Sequence, residues 1–294
     1  MTTKVQVRAA ATVAAVVVVT GLVLATGCSG PGAAPRRPGL SGPLGFWNRS
    51  RLLAALPFDL GREPATGQPH TAGAGAALRV GALFEHDESG NHFCTASVVS
   101  SPGKDLLITA AHCIHGGKGS GYRSDIVFIP GYRDGQEPFG VWTPARLIVA
   151  PQWADASDPD FDVGFVVLQP NDGRTIEQVL GANRLMTDTR YRYLVHVTGY
   201  PSSANAPITC VNWTSRQSAT QLRFDCAGYT GGTSGSPWVT RFDASSRTGT
   251  IVGVIGGYEQ GGDTDSVSYS VRLGPATLWL YRQAVAAEKA DTHG

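Results

Sequence analysis

Three short segments of the chain carry residue types that together hydrolyse a peptide bond through an acyl-enzyme. That chemistry needs a hydroxyl nucleophile, a base that removes its proton, a group that orients the base, and N–H donors for the oxyanion. The candidate base is His112 in the sequence TAAHC, the candidate orienting acid is Asp162 in FDVGFVVL, and the candidate nucleophile is Ser234 in GGTSGSP. They occur in the order His, Asp, Ser, and we predict that they form a catalytic triad.

Each of these segments also has an ordinary structural interpretation. A histidine after a strand is usually structural, an aspartate at a strand edge is common, and a run of Gly and Ser is often only a turn. The rival acids, Asp160 foremost, lie in a polar loop where water would solvate them, whereas Asp162 directly precedes an apolar run. The presence of all three residue types in one chain favours catalysis.

The residues around Ser234 predict an oxyanion hole. Glycine allows backbone N–H groups to turn inward without a side-chain clash, so the N–H groups of Gly232 and Ser234 can converge on one point. One such donor stabilises a transition state by about 2.7–4 kcal/mol. The segment does not match the G-x-S-x-G elbow of α/β-hydrolases, because Ser236 occupies the last glycine position.

The first 28 residues predict an export signal. Lys4 and Arg8 precede an uncharged apolar stretch over residues 9–24, and small residues lead up to Cys28. This order is typical of a secretory signal peptide. A cysteine after small residues also resembles a bacterial lipobox, so we predict a lipid anchor on Cys28. Cleavage with release and an uncleaved anchor are the alternatives.

The other four cysteines are expected to form two disulfides in an oxidising compartment. Four cysteines allow three connectivities, and the economical choice pairs neighbours in sequence, Cys94 with Cys113 and Cys210 with Cys226. Each bridge would contribute about 3 kcal/mol in the chain-entropy model. No CxxC pair occurs, so we expect no zinc site, and the chemistry requires no other metal or organic cofactor.

The composition suits an all-β domain and gives no reason to expect nucleic acid as a partner. Of the 294 residues 16% are charged, the net charge is +1, and 37 Gly and 18 Pro supply many turns. Residues 29–76 are rich in Pro and Gly and predict a linker or a pro-segment. In the second case the more apolar residues 46–60 would pack on the domain. Residues 77–289 are expected to form a single protease domain.

Short apolar or β-branched runs recur along that domain, separated by turn residues. Their number favours paired β-barrels or a sandwich. A stretch that begins with Pro, Pro275–Lys289, predicts a C-terminal helix with Leu278, Tyr281 and Val285 on one face. The runs are Leu78–Phe84, Thr95–Val99, Leu106–Thr109, Ile126–Ile129, Ala145–Val149, Val163–Leu168, Tyr193–Thr198, Gln221–Phe224, Pro237–Thr240, Thr250–Ile255 and Val267–Val271.

The three catalytic segments resemble the catalytic blocks of the chymotrypsin-like (trypsin-family) serine proteases. TAAHC at 109–113, FDVGFVVL at 161–168 and GGTSGSP at 231–237 match them in order and spacing, and VTGYP at 197–201 is more similar to the bacterial glutamyl-endopeptidase branch. The resemblance covers about residues 78–283. It implies two six-stranded antiparallel β-barrels with the triad in the cleft between them, and a disulfide bracing the catalytic histidine.

Three positions depart from the better-known members of that family. In animal members an aspartate directly before the nucleophile pairs with a new N-terminus after activation cleavage, and here that residue is Thr233. Gly228 stands where trypsin-like members carry the aspartate that selects Lys or Arg. Ile255 stands where the glutamyl branch carries a histidine.

By the same resemblance, three segments should form the walls of the primary specificity pocket. They contain no charged residue, so we predict cleavage after small or medium uncharged residues such as Ala, Val or Leu. Glu259, at the rim, is the alternative determinant and would recruit a basic side chain. The pocket residues are Gly228, Tyr229, Thr230, Ile255, Gly256, Gly257, Tyr258 and Val267.

The sequence therefore predicts a secreted serine endopeptidase, monomeric, acting on peptide or protein substrates and touching the membrane only through the lipid on Cys28. Two alternatives use the same features. A surface binding module would keep the barrels without catalysis, and an esterase would use the same triad on small esters.

Overall fold

The computed structural model describes residues 42–57, 70–71, 78–87, 90–188 and 190–291. The predicted export signal with Cys28, and most of the Pro/Gly-rich stretch after it, lie outside the described residues. Within the described part of the chain, no helix is both long enough and apolar enough to cross a bilayer.

The described residues form fifteen strands and five α-helices, with single 3-10 turns between some of them. The strands are β1 Leu56–Pro57, β2 His70–Thr71, β3 Val80–Asp87, β4 Gly90–Val98, β5 Leu106–Thr109, β6 Val127–Pro130, β7 Pro144–Val149, β8 Gly164–Leu168, β9 Arg184–Leu185, β10 Leu194–Gly199, β11 Ile208–Arg216, β12 Gln221–Asp225, β13 Pro237–Asp243, β14 Thr248–Val254 and β15 Val267–Val271. The helices are α1 Pro43–Phe46, α2 Arg49–Ala54, α3 Pro151–Ala156, α4 Ile176–Leu180 and α5 Pro275–Asp291.

The first sheet has seven strands: six antiparallel strands in the order β6-β3-β4-β5-β8-β7, and the short strand β1, which pairs in parallel with β4. Two of its strands, β5 and β8, are buried along their whole length and consist mostly of apolar residues. Thr109 at the end of β5 pairs with Gly164 at the start of β8. The chain after β5 and the chain before β8 therefore lie side by side, and these are the segments that contain His112 and Asp162.

The second sheet has the order β15-β12-β11-β10-β13-β14, with the short strands β9 and β2 added at β14 and β11. Pro237, the first residue of β13, pairs with Val254, the last residue of β14. The Gly/Ser-rich loop that precedes β13 and the segment that follows β14 consequently lie at the same end of this sheet. Hydrogen bonds join the two segments, because the Gly235 N–H donates to the Ile255 carbonyl and the Ile255 N–H donates to the Ser236 carbonyl.

The expectation of two six-stranded β-barrels with a C-terminal helix is confirmed as two curled antiparallel sheets and α5. All eleven apolar runs overlap observed strands, and the run 106–109 coincides with β5. Four strands were not predicted: the two-residue strands β1, β2 and β9, and the longer strand β11. The nine residues of β11, ITCVNWTSR, are mostly half-buried or exposed, so the alternation typical of a strand with one buried face is weak.

Helix α5 begins at Pro275 as predicted, but its buried face is rotated from the expected one. Leu280 and Ala284 are buried, whereas Leu278 and Val285 are only partly covered. Tyr281 does pack inward, its ring centroid 5.9 Å from that of Phe165. The helix covers an apolar cluster to which both sheets contribute.

Part of the N-terminal stretch packs on the first sheet. Trp47 and Leu52 are buried there in one cluster with Phe84. Residues Leu56–Pro57 then pair in parallel with His92–Phe93 at the edge of β4. Residues 42–57 of the predicted linker or pro-segment therefore pack on the first sheet.

Both expected disulfides are confirmed. Cys94 is bonded to Cys113 and Cys210 to Cys226, with Cα–Cα distances of 6.1 and 6.6 Å. These separations lie in the ordinary range for the bond. The first bridge ties β4 to the 3-10 turn Ala111–Cys113, which contains His112.

Candidate active site

One carboxylate holds both the ring and the backbone of His112. The Nδ1 atom of His112 lies 2.8 Å from Oδ2 of Asp162, and the backbone N–H of His112 donates to Oδ1 at 2.9 Å. Both residues are buried. An ionised carboxylate only accepts hydrogen bonds, so Nδ1 carries the proton and Nε2 is left as the basic nitrogen.

Asp162 is set up to stay ionised although it is fully buried. Burial by itself raises the pKa of Asp162, but the facing His112 ring and the N–H donors of His112 and Gly257 more than offset this, and the pKa is lowered overall. The Gly257 N–H donates to Oδ2 at 2.8 Å. The carboxylate therefore accepts three donors, which suits a group that orients an imidazole and stabilises its charged form.

The backbone of His112 is also held from its other side. Nη2 of Arg123 donates to the His112 carbonyl at 3.5 Å, while Nη1 donates to Asp87 at 3.2 Å and Nε lies 3.4 Å from Glu85. Burial raises the pKa of Glu85 to about 8, and the neighbouring Arg123 opposes that rise without cancelling it. The arrangement fixes the turn that carries the histidine.

The loop around Ser234 needs glycine at two positions. Gly232 has φ +90°, and a Cβ there would lie 2.2 Å from the Phe93 ring and 2.8 Å from the Tyr200 carbonyl oxygen. Gly235 has φ +84°, and a Cβ there would lie 2.0 Å from the Thr95 carbonyl oxygen. Any other residue at either position would combine backbone strain with a clash.

These close approaches join the serine loop to the first sheet. The carbonyl of Ser234 accepts a hydrogen bond from the Thr95 N–H at 2.8 Å. The ideal Cβ position of Gly235 is 3.2 Å from the backbone nitrogen of Ala110, two residues before His112. The three predicted triad residues thus lie at one junction: Asp162 bonded to His112, and the Ser234 loop packed against the segment that leads to His112.

Of the eight predicted pocket residues, Gly256 and Gly257 lie against Asp162 at this junction. Gly256 donates to the Tyr269 carbonyl at 3.0 Å, and its ideal Cβ position is 3.0 Å from the Asp162 carbonyl oxygen. Tyr229 is fully buried, with its hydroxyl donating to Val197 at 2.7 Å. Among the remaining members, Thr230 and Ile255 are buried, Val267 is partly buried and Tyr258 is exposed; Gly228 and Gly257 adopt positive φ.

Two residues near these walls were not singled out from the sequence. Gln221 accepts from the Tyr258 N–H at 3.3 Å and donates to Asp160 at 2.8 Å, so it fixes the rim of the walls. Asp265 is buried, and its carbonyl accepts from the Tyr229 N–H at 2.9 Å. Neither gives a local signal, because each acquires its role only through partners distant in sequence.

The rival acid Asp160 is hydrogen-bonded to Gln221, whereas Asp162 is hydrogen-bonded to the histidine. The Asp160 carboxylate accepts from Gln221 Nε2, and its backbone N–H donates to Asp158 at 3.0 Å as part of the 3-10 turn Pro159–Phe161. The sulfur atoms of Cys94 and Cys113 lie near the His112 ring but are joined in a disulfide. They are not thiolate ligands for a metal.

Comparisons with known proteins are consistent with this arrangement. The family model described as Trypsin matches residues 67–280. No curated protein matches the chain.

Three solved structures that resemble the chain are of proteins named as proteases or an endopeptidase. Protease Anisep from Arthrobacter nicotinovorans is 24% identical with a TM-score of 0.65, over 71% of this chain and 96% of that one. The thermostable serine protease AL20 from an extremophilic microorganism is 25% identical with a TM-score of 0.65, over 71% and 98%. A Glu endopeptidase is 14% identical with a TM-score of 0.57, over 79% and 100%.

Proposed function

Because the chain belongs to the trypsin family of serine proteases, we propose that it is an exported endopeptidase that hydrolyses peptide bonds through an acyl-enzyme on Ser234. The observation that carries this proposal is the buried 2.8 Å contact between His112 Nδ1 and Asp162 Oδ2. This contact leaves Nε2 as the base. The Ser234 loop lies at the same junction, where the Ser234 carbonyl accepts from the Thr95 N–H.

The proposed reaction follows from the chemistry of these groups. Ser234 Oγ attacks the substrate carbonyl while its proton moves to His112 Nε2, and the oxyanion is stabilised by the N–H groups of Gly232 and Ser234. The tetrahedral species collapses when His112 protonates the leaving amine. Water then attacks the acyl-enzyme by the same route. Asp162 remains ionised throughout and stabilises the imidazolium.

The pocket walls favour a small or medium uncharged side chain on the substrate. They hold no charged residue, and an ionised side chain buried without a partner would be strongly disfavoured. The large ring of Tyr229 lies among them, and Tyr229 is fully buried. We therefore expect cleavage after Ala, Val or Leu, with Glu, Lys and Arg disfavoured.

This preference is tested by profiling cleavage on a peptide library, with casein and a nitrophenyl ester as parallel substrates. Ester turnover without peptide or casein cleavage would indicate an esterase and contradict the proposal. A profile dominated by Lys or Arg would contradict the uncharged pocket and implicate Glu259 or Asp265. Glu259→Gln and Asp265→Asn, assayed side by side, would then identify which carboxylate is responsible.

The two disulfides indicate an oxidising, extracytoplasmic compartment. We propose that the lipobox-like sequence ending at Cys28 anchors the protein there through a lipid. Cys28→Ser is expected to move the protein from the membrane fraction to the medium, or to stop its maturation, as measured by fractionation and immunoblotting. Unchanged membrane association of mature protein would contradict lipidation of Cys28.

A further inference from the structure

A buried threonine of the first sheet bonds to the loop that carries the proposed oxyanion donors. Thr95 lies in β4 directly after Cys94 and is fully buried. Its hydroxyl donates to the Gly232 carbonyl at 3.0 Å and accepts from the Tyr200 N–H at 3.0 Å. Its backbone N–H donates to the Ser234 carbonyl at 2.8 Å. Three hydrogen bonds from this one residue therefore cross to the second-sheet side of the junction.

The bond from the Thr95 hydroxyl to the Gly232 carbonyl holds the peptide group that lies between the two proposed oxyanion donors. The two proposed donors belong to the peptide groups on either side of the Gly232–Thr233 peptide. The carbonyl of that middle peptide is the one that the Thr95 hydroxyl holds. Glycine is conformationally permissive, so the direction of the Gly232 N–H depends on this bond and on the bond from the Thr233 N–H to the Thr230 carbonyl at 3.3 Å.

Thr95 is itself held from the first sheet. Its carbonyl accepts from the Thr109 hydroxyl at 2.8 Å, and the preceding Cys94 is bonded to Cys113, the neighbour of His112. Thr95 therefore links the loop that contains Ser234 to the same elements that position His112. The next loop residue, Thr233, is uncharged, and its hydroxyl donates to the Thr230 carbonyl at 2.8 Å.

We infer that Thr95 is a positioning residue for catalysis: its hydroxyl holds the Gly232–Thr233 peptide so that the oxyanion donors are aligned before substrate binds. The inference rests on the proposed function, since it concerns the oxyanion donors of that reaction. A neutral hydrogen bond from the opposite sheet then aligns the oxyanion donors. This bond is present in the folded chain without a newly formed N-terminus.

The test compares Thr95→Val, which removes the hydroxyl at nearly constant shape, with Thr95→Ser, which keeps it. Loss of one oxyanion donor costs roughly 10²–10³ in kcat, so misalignment through Thr95→Val is expected to lower kcat about 10- to 100-fold with KM within about twofold. A peptide boronic acid forms a tetrahedral adduct with the nucleophile. Its Ki should rise by the same factor. Thr95→Ser should stay within about threefold of the wild type.

Thr214→Val is a matched control. Thr214 is also fully buried, and its hydroxyl likewise donates to a carbonyl, that of Tyr191 at 2.8 Å, and accepts from an N–H, that of Tyr193 at 2.9 Å. Its loss should lower the thermal midpoint to a similar degree while kcat and the boronic acid Ki remain unchanged. If Thr95→Val does not fold, Thr95→Ala with the same readouts takes its place.

The inference is overturned if a folded Thr95→Val or Thr95→Ala keeps wild-type kcat, or if Thr214→Val lowers kcat equally. These outcomes differ from failure of the proposed function. In that case the wild-type protein would show neither peptide turnover nor binding of the boronic acid.

Discussion

Ser234→Ala and His112→Ala are each expected to lower kcat/KM on a peptide substrate by about 10⁴-fold or more, with the fold unchanged. The first removes the nucleophile and the second removes the base, and neither role has a substitute at the junction. Because the two residues act as a unit, the double variant should be no less active than the worse single variant. Initial rates on one fluorogenic peptide, with circular dichroism of each variant, measure both effects.

His115→Ala supplies the matched control for the histidine. His115 is also buried, three residues further on, and its Nδ1 accepts from the Gly117 N–H at 3.0 Å. Its replacement should cost stability but leave most of the turnover. Equal losses in His112→Ala and His115→Ala would mean that folding, not proton transfer, explains the effect of His112.

Asp162→Asn is expected to lower kcat by about 10⁴-fold, the loss associated with a wrong histidine tautomer. The carboxylate accepts from the His112 backbone N–H, from His112 Nδ1 and from the Gly257 N–H. An amide offers only one oxygen to these donors, and its NH₂ group must face one of them. The ring then gains by presenting Nδ1 as an acceptor, which places the proton on Nε2 and removes the base.

Asp160→Asn tests the same substitution two residues away. Asp160 Oδ1 accepts from Gln221 Nε2 at 2.8 Å, and an asparagine oxygen still accepts there, so kcat should change by less than about threefold. A severe effect of Asp160→Asn together with a mild effect of Asp162→Asn would show that the orienting acid had been assigned to the wrong residue.

The sequence specified most of the β-structure because most strands bury one or both faces. The run Leu106–Thr109 consists of three apolar residues and a β-branched threonine, and the strand is buried at every position. Strand β11 was missed because Val211 and Trp213 point to solvent while polar residues intervene. Its existence depends on pairing with β10 and β12, which no local pattern reports.

The candidate site was predictable where a residue's type alone restricts its chemistry. A histidine, an aspartate and a glycine-flanked serine in order indicated the triad positions before any distance was known. Thr95 was different, because in the sequence it is simply a β-branched residue at the start of an apolar run. Its contact with Gly232 spans 137 positions. Long-range contacts of this kind define the supports of the site, and they are fixed by how the two sheets meet.

The most direct measurement of the central claim is covalent labelling of the wild-type protein with a fluorophosphonate, followed by mass spectrometry of its tryptic peptides. After reduction of the Cys210–Cys226 disulfide, trypsin should release residues 224–241, a peptide that contains both Ser234 and Ser236. The account predicts one phosphonyl group per chain, located on Ser234 by fragmentation, absent in Ser234→Ala and strongly slowed in His112→Ala. Labelling of Ser236, or no labelling of a folded protein that cleaves peptides, would contradict it.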